Sequence, residues 1–486
     1  MPIFKKTIAL SGSLITLALL ADVNAAVPNS NPLGSLKTIP IPEPSNLADF
    51  VANKPAAIAL GKALFWDMQV GSDGIQSCAS CHFHAGTDNR SKNQLHPGSD
   101  GLFAKGVNYQ LTSSGFPFHI LSNVDNRDSI VMSDIDDIAG SQGVFLTQFN
   151  SVTLGKAVDN TTLLADPIFN INGINVRQVT GRNTPSVINA AFNFRNFWDG
   201  RAQNIFNGVN PFGLRDPNAK VFQAVDRKTV QAVNIQLDNA SLASQAVGPP
   251  LSSVEESATG RAFPDIGEKL TGGARNKFPR EIGKKLRSLA PLGKQLVAYD
   301  DNVLAPYVFS STKTLKPGLK ISYEKLIKRA FQPKWWNSVK IVNINSNGLV
   351  SLSDSSPVQT DPTDPYPILQ PTQLAKNQFT QMDQNFALFM GLAVQLYEAT
   401  LVSDNAPIDQ YFEGNTAALT TAQLNDKAVF EGKGQCVNCH GGAEFTNASV
   451  RNVKNQRLER MVMGDGGEAV YDNGFYNIGV RLQRKI

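Results

Sequence analysis

The chain is poor in the residues that most often reveal a function. Of its 486 residues only four are cysteines and five are histidines. Charged residues make up 18% and the formal net charge is +4, with no long basic run. That balance argues against nucleic acid as a partner. With 42% hydrophobic residues the chain is globular and not disordered. Long apolar runs are also scarce. Only Thr7 to Leu20 approaches the about 20 apolar residues that a membrane-spanning helix needs, and it is short for one. Lys5 and Lys6 precede it, and the small-residue stretch Val23-Asn24-Ala25 follows. Residues 1–25 are therefore expected to be a cleaved signal peptide that exports the protein to the periplasm. No stable membrane span is expected in the mature chain.

All four cysteines fall into two short motifs, Cys78-Ala79-Ser80-Cys81-His82 and Cys436-Val437-Asn438-Cys439-His440. None is left over to pair elsewhere, although cysteines in an oxidising compartment usually do pair. C-x-x-C-H is the attachment pattern of c-type haem. Two thiols add across the vinyl groups of one porphyrin, and the adjacent histidine is held beneath the iron as axial ligand. A single four-thiolate zinc site would leave a histidine after each motif unexplained. A thioredoxin-like role needs a βαβ context that neither motif has. The expected cofactors are two covalently bound haem c groups. Pro55 to Trp66 carries apolar residues at helical spacing, and Thr420 to Glu431 reads as a helix capped by Thr420 and closed by Gly432 and Gly434. A helix running into C-x-x-C-H suits a small cytochrome domain.

Elsewhere the pattern is looser. Residues 87–180 are polar and loop-rich. Thr184 followed by Pro185 predicts a helix start. Residues 203–240 read as an insertion, and 312–375 as a hairpin or linker around Asn347-Gly348. Lys376 to Leu401 predicts one long amphipathic helix with Phe379, Met382, Phe386, Phe389, Leu392 and Leu396 on one side. The length implies two domains.

Several blocks taken together resemble the bacterial di-haem cytochrome c peroxidase and MauG superfamily. They are Leu60 to Phe65, Arg182-Asn183-Thr184-Pro185, Phe197-Trp198-Asp199-Gly200-Arg201, Gln245 to Pro250 followed by Glu255, Tyr397 to Val402, and Cys439-His440-Gly441-Gly442. The resemblance implies a mainly α-helical fold of two cytochrome c-like domains, each with one covalent haem c and with long loop insertions. Residues 26–375 would carry the peroxidatic haem and residues 376–486 the electron-transfer haem. It implies reduction of hydrogen peroxide to water with electrons from a small periplasmic donor, a cytochrome c or a cupredoxin. His82 is then the ligand of the reactive iron, His440 that of the electron-transfer iron, and Trp198 the bridge between them. Gln245 and Glu255 match the distal-pocket pair. Splitting a peroxide requires moving a proton from one oxygen to the other, which a buried carboxyl of raised pKa can do while an amide orients the substrate. The bland alternative for Glu255, with Glu256 next to it, is a solvated surface acid. Asn183 corresponds to a calcium ligand. His96 is the candidate distal ligand of the first haem, with His84 and His119 as the other histidines in reach. A homodimer is left open.

The pattern also departs from the family. Tyr471 to Val480 looks like a mid-domain segment, after which the family continues to the sixth ligand of the C-terminal haem, a Met in peroxidases and a Tyr in MauG. The C-terminal domain is therefore expected to be incomplete. Met461 and Met463 read as loop residues. Two other functions stay open: a MauG-like or organic-substrate oxidase, for which the insertions at 97–181 and 203–240 could shape a larger pocket, and a non-enzymatic electron-transfer cytochrome with both irons fully ligated.

Overall fold

The helix Phe386–Glu398 is buried along all of its 13 residues and forms the centre of the fold in the computed structural model. Residues 31–126, 128–272, 289–312, 314–345, 350–353, 377–462 and 467–476 are described. The signal-peptide residues, the Asn347-Gly348 turn, Met463 and residues 477–480 lie outside them.

The central helix is apolar on every side until Gln395, so it needs neighbours all round. The Lys54–Trp66 helix lies along one face. Gly61 allows this, since a Cβ there would sit 1.8 Å from the Ala393 carbonyl oxygen. The short Ser241–Ala246 helix covers a second face, where Gly391 lets Phe206 and the Ala243 carbonyl approach. The Tyr323–Ala330 helix closes over Lys54–Trp66. Leu60, Leu64, Phe65, Phe386 and Phe389 are essentially inaccessible, and each such side chain contributes about 1.5–3 kcal/mol by leaving water. This one core joins residues on both sides of position 375.

Two helices run as their sequences predict. Asn53 caps Lys54–Trp66 by accepting from the Ala56 N–H at 2.9 Å, and Thr420 with Gln423 forms a reciprocal cap on Thr421–Glu431. The long helix expected from Lys376 does not form as one piece. Gln378–Thr380 is a strand, Thr380 caps the turn Gln381–Gln384, and the chain breaks at Asn385. The Asn385 amide donates instead to the carbonyls of Phe222 and Trp335. Nor is the following helix amphipathic, because the whole of it is buried. Thr184 and Pro185 start no helix. The Thr184 hydroxyl partners Ser141, and its carbonyl accepts from the Thr87 hydroxyl.

The expectation of a mainly α-helical fold is corrected. Helix accounts for 28% of the residues and strand for 17%, and the described residues hold seven small sheets. Most are two-stranded hairpins, three in the stretch that read as loops, His119–Leu121 with Val131–Asp134, Thr147–Ser151 with Asn160–Leu163 and Asn170–Ile171 with Ile174–Asn175, and one in the 203–240 insertion, Val221–Ala224 with Val230–Val233. The third is closed by Asn172-Gly173, both at positive φ, the geometry of a tight hairpin link. Ile341–Ile344 pairs with Val350–Ser353 on one side and Gln378–Thr380 on the other. No helix among the described residues is long and apolar enough to cross a membrane.

Candidate active site

Ser77 caps the single helical turn Cys78–Cys81, and its own N–H donates to Ser80 Oγ at 3.0 Å. His82 follows directly. Its Nδ1–H donates to the Gly86 carbonyl at 2.9 Å, which places the ring proton on Nδ1 and the lone pair on Nε2. Burial lowers its pKa and keeps the ring neutral. In the second motif His440 Nδ1 meets the Phe445 carbonyl at 3.3 Å, the same arrangement with a longer bond. His96 is arranged the opposite way. Its Nδ1 accepts from the Gly98 N–H at 3.2 Å, so the neutral ring carries its proton on Nε2 and presents a donor there.

These residues fit covalent haem. All four thiols are free. Burial pushes Cys78 far above the ordinary thiol range, and Cys81 up to about 12 despite the opposing charge of Arg90. Such thiols stay protonated, which suits an apolar porphyrin pocket and not a reactive thiolate pair. Among the described residues no group of three or more His, Cys, Asp or Glu side chains could hold a bare metal ion.

Glu255 lies in a loop that the insertion holds in place. The Val144 N–H donates to the Val254 carbonyl at 3.0 Å and the Gln178 amide to the Ser253 carbonyl at 2.7 Å. Gly143 is the contact point, since a Cβ there would lie 1.9 Å from the Val254 oxygen. Burial raises the Glu255 carboxyl, opposed by the Ser252 hydroxyl and the Arg201 charge. Glu255 is half-buried, while its neighbour Glu256 is buried, raised to about 7 by burial and by Glu255, and hydrogen-bonds the Cys78 thiol. The solvated-acid alternative therefore fails for Glu256, and Glu255 is half-buried with a raised pKa. A third carboxyl, Glu398, also acts on Cys78 and is raised to about 8 by burial alone. The sequence did carry a signal for it, a lone acid inside an apolar helix.

Gln245 is the penultimate residue of its helix, and the Gly248 that follows faces the Phe197 ring, 3.3 Å from a Cβ placed there. Arg201 stacks on that ring at 3.8 Å and pairs with Asp199. Gln245, the 197–201 block, Glu255 and Cys81 thus share one neighbourhood. Trp198 points outward, 68% exposed, with the Arg182 guanidinium 4.5 Å above its ring. Arg182 also lowers the pKa of His96, after burial, which places His96 beside this cluster. Asn183 is exposed. On the other side of His82, Phe65 stands 6.2 Å from the imidazole and 5.4 Å from Tyr397, whose hydroxyl accepts from Trp66 Nε1.

The model of the di-haem cytochrome c peroxidase family matches residues 55–301, just over half of the chain. The chain belongs to this family. The matched span holds the first motif, Trp198, Gln245 and Glu255. Membership implies haem c as the cofactor. Among curated relatives, cytochrome-c peroxidase IdrP2 of Denitromonas iodatirespirans is 46% identical over 57 residues, covering 12% of this chain and 16% of that protein. Cytochrome-c peroxidase IdrP1 of Pseudomonas sp. (strain SCT) is 44% identical over 52 residues, 10% of this chain and 14% of the relative. IdrP1 of Denitromonas iodatirespirans is 34% identical over 80 residues, 16% of this chain and 20% of the relative. These matches span no more than a fifth of the relatives' own length.

In this di-haem cytochrome c peroxidase family member the second motif lies beyond the matched span. Gln435, at positive φ, leads into the turn Cys436–Asn438. The Asn447 amide donates to the Asn438 carbonyl at 2.6 Å, and its N–H to the Cys439 carbonyl at 3.0 Å. Phe445, the acceptor for His440, also lines a cavity of about 310 Å³ with Phe192, Asn193 and Ala443.

Proposed function

We propose that this protein is exported by residues 1–25 to the periplasm and there reduces hydrogen peroxide to water, drawing electrons from a small cytochrome c or cupredoxin. The observation that carries this reading is the half-buried carboxyl of Glu255, its pKa raised by loss of hydration, in the same neighbourhood as Cys81 of the first motif. Haem held by Cys78, Cys81 and His82 supplies the redox chemistry when bound. The chain's own residues handle protons and position. One peroxide, two protons and two electrons give two waters. Glu255 takes the proton from one peroxide oxygen and returns it to the other, which a carboxyl of raised pKa does near neutral pH. The Gln245 amide orients the substrate. Trp198, beneath Arg182, is the relay for electrons arriving from the half that carries His440.

The test is optical and EPR spectroscopy of the purified protein, oxidised and half-reduced, with and without peroxide. The reading requires that peroxide perturbs one of two haem signals and that reduced donor is consumed at two electrons per peroxide. A low-spin spectrum that peroxide leaves untouched in every redox state would overturn it and favour an electron-transfer cytochrome.

A further inference from the structure

A small cavity of about 10 Å³ lies behind the second motif, lined by Asn31, Asn447, Asn452, Asn455, Gln456, Glu459 and Asn473. That volume is close to one water-sized sphere, room for a single ion or water. Its walls are six carboxamides and one carboxylate. Asn447 and Asn452 are buried, at 4% and 1% exposure, and the Oδ1 of each has no hydrogen-bond partner. Their orientation is fixed, because each Nδ2 is already committed: Asn447 donates to the Asn438 carbonyl and Asn452 to the Thr446 carbonyl. Neither amide can turn over to offer a donor without breaking that bond.

Asn473 Nδ2 donates to the Gln456 carbonyl, so its Oδ1 is an acceptor as well. The Tyr476 hydroxyl has one proton, which Glu459 and the Asn473 oxygen share. Glu459 is 6% exposed, and among the described residues no cationic side chain pairs with it. One water brings two protons to this cavity. Those two protons meet the two orphan amide oxygens, of Asn447 and Asn452, and leave the buried Glu459 carboxylate with no cation beside it among the described residues. A hard cation satisfies all of them together, and neutral amide oxygens with one carboxylate are the donor set that calcium takes.

We propose that the cavity formed by Asn447, Asn452, Glu459 and Asn473 binds one calcium ion, at a place separate from Asn183. The ion ties the Leu458–Val462 strand and the turn at Asn473 to the loop that positions His440. Asn447 is the link, since its N–H donates to the Cys439 carbonyl within the motif.

The test is calorimetric titration of the full-length, EDTA-treated protein with calcium chloride, in an Asn183→Ala background so that any ion held there is not counted. One saturable site is expected, weakened at least tenfold by Glu459→Gln. Asn455 is exposed at the rim, so Asn455→Asp should tighten binding several-fold without disturbing the core, and it keeps the test open should Glu459→Gln fail to fold. Terbium in place of calcium should show luminescence sensitised by Tyr476, lost in Tyr476→Phe. Absence of saturable binding, or an affinity unmoved by both Glu459→Gln and Asn455→Asp, overturns the site and leaves the cavity to water.

Discussion

The Nδ1–H of His82 donates to the carbonyl of Gly86 across 2.9 Å, and that bond decides which nitrogen of the ring faces the porphyrin site. Gly86 has φ +77°, and a Cβ on it would meet Ser186 Oγ and the Val187 nitrogen, each at 2.8 Å. Gly86→Ala therefore strains a left-handed residue, about 1–2 kcal/mol, and moves the carbonyl that holds the ring. The expected outcome is a shifted midpoint potential and altered ligand-field spectrum for the first haem, with the second unchanged. A spectroelectrochemical titration that resolves the two haems reads this directly. Two unshifted waves would mean that the carbonyl does not govern the ligand.

Glu255 and Glu256 are neighbours in sequence but differ in surroundings. Glu255 feels the Arg201 charge and the Ser252 hydroxyl, while Glu256 faces the Cys78 thiol. Glu255→Gln should lower peroxide turnover by about 10²–10⁴-fold with the KM for reduced donor unchanged. Glu256→Gln should have a smaller effect on the rate. It should instead remove an inflection near pH 7 from the pH profile, since Glu256 is protonated below about 7 and ionised above. Steady-state kinetics from pH 5 to 9 on both variants separates the roles. Equal losses in the two would show that they act as one unit.

What could be read in the sequence was local. The haem motifs, the Thr420 cap and the Pro55 to Trp66 period all lie within a few residues of what they determine. The hairpins were less legible, although Asn172-Gly173 between Ile171 and Ile174 is a hairpin signal in its own right. Thr184-Pro185 shows the limit of local rules, since tertiary bonds to Ser141 and Thr87 claim the groups that would begin a helix. The burial of Glu256 could not be read from the sequence, and that of Glu398 was hinted at only by the apolar helix that carries it. A carboxyl's environment is set by chain segments far away in sequence, here the motif at Cys78 and the helix that packs beside it.

Glu398 offers a test on stability. Burial raises it from an ordinary 4.5 to about 8, with no compensating partner among the causes. The folded state therefore binds the proton more tightly than the unfolded chain. Its contribution is fullest below pH 4.5 and declines as pH rises toward 8. At 1.36 kcal/mol per pKa unit the loss is on the order of a few kcal/mol. Glu398→Gln mimics the protonated form at every pH. The variant should match the parent in urea midpoint at pH 5 and exceed it at pH 8.5. No gain at the higher pH would place the carboxyl in contact with water or a cation.

The loop entering the first motif depends on one charge that the insertion supplies. Asp159 is buried between Arg261 Nε at 3.0 Å and Lys269 Nζ at 2.9 Å. Those two cations in turn donate to the carbonyls of Val70 and Gly71, and the Asp159 N–H to that of Ser72. Removing Asp159 leaves both cations without the carboxylate that pairs them, so Asp159→Asn should cost about 3–5 kcal/mol. Lys269 is the group that can yield. Burial and then Arg261 already hold it down at about 8, and without Asp159 it falls further. A lysine with a folded pKa below its unfolded value adds stability as pH rises through that interval. In the parent this gain runs from about 8 upward, and in the variant it begins lower and is larger. The deficit of Asp159→Asn in denaturant midpoint should therefore be greatest at pH 7 and shrink by pH 9.5. A deficit that stays constant across that range would show that Lys269 keeps its proton, and that the 70–72 loop is held by packing and not by this charge triad.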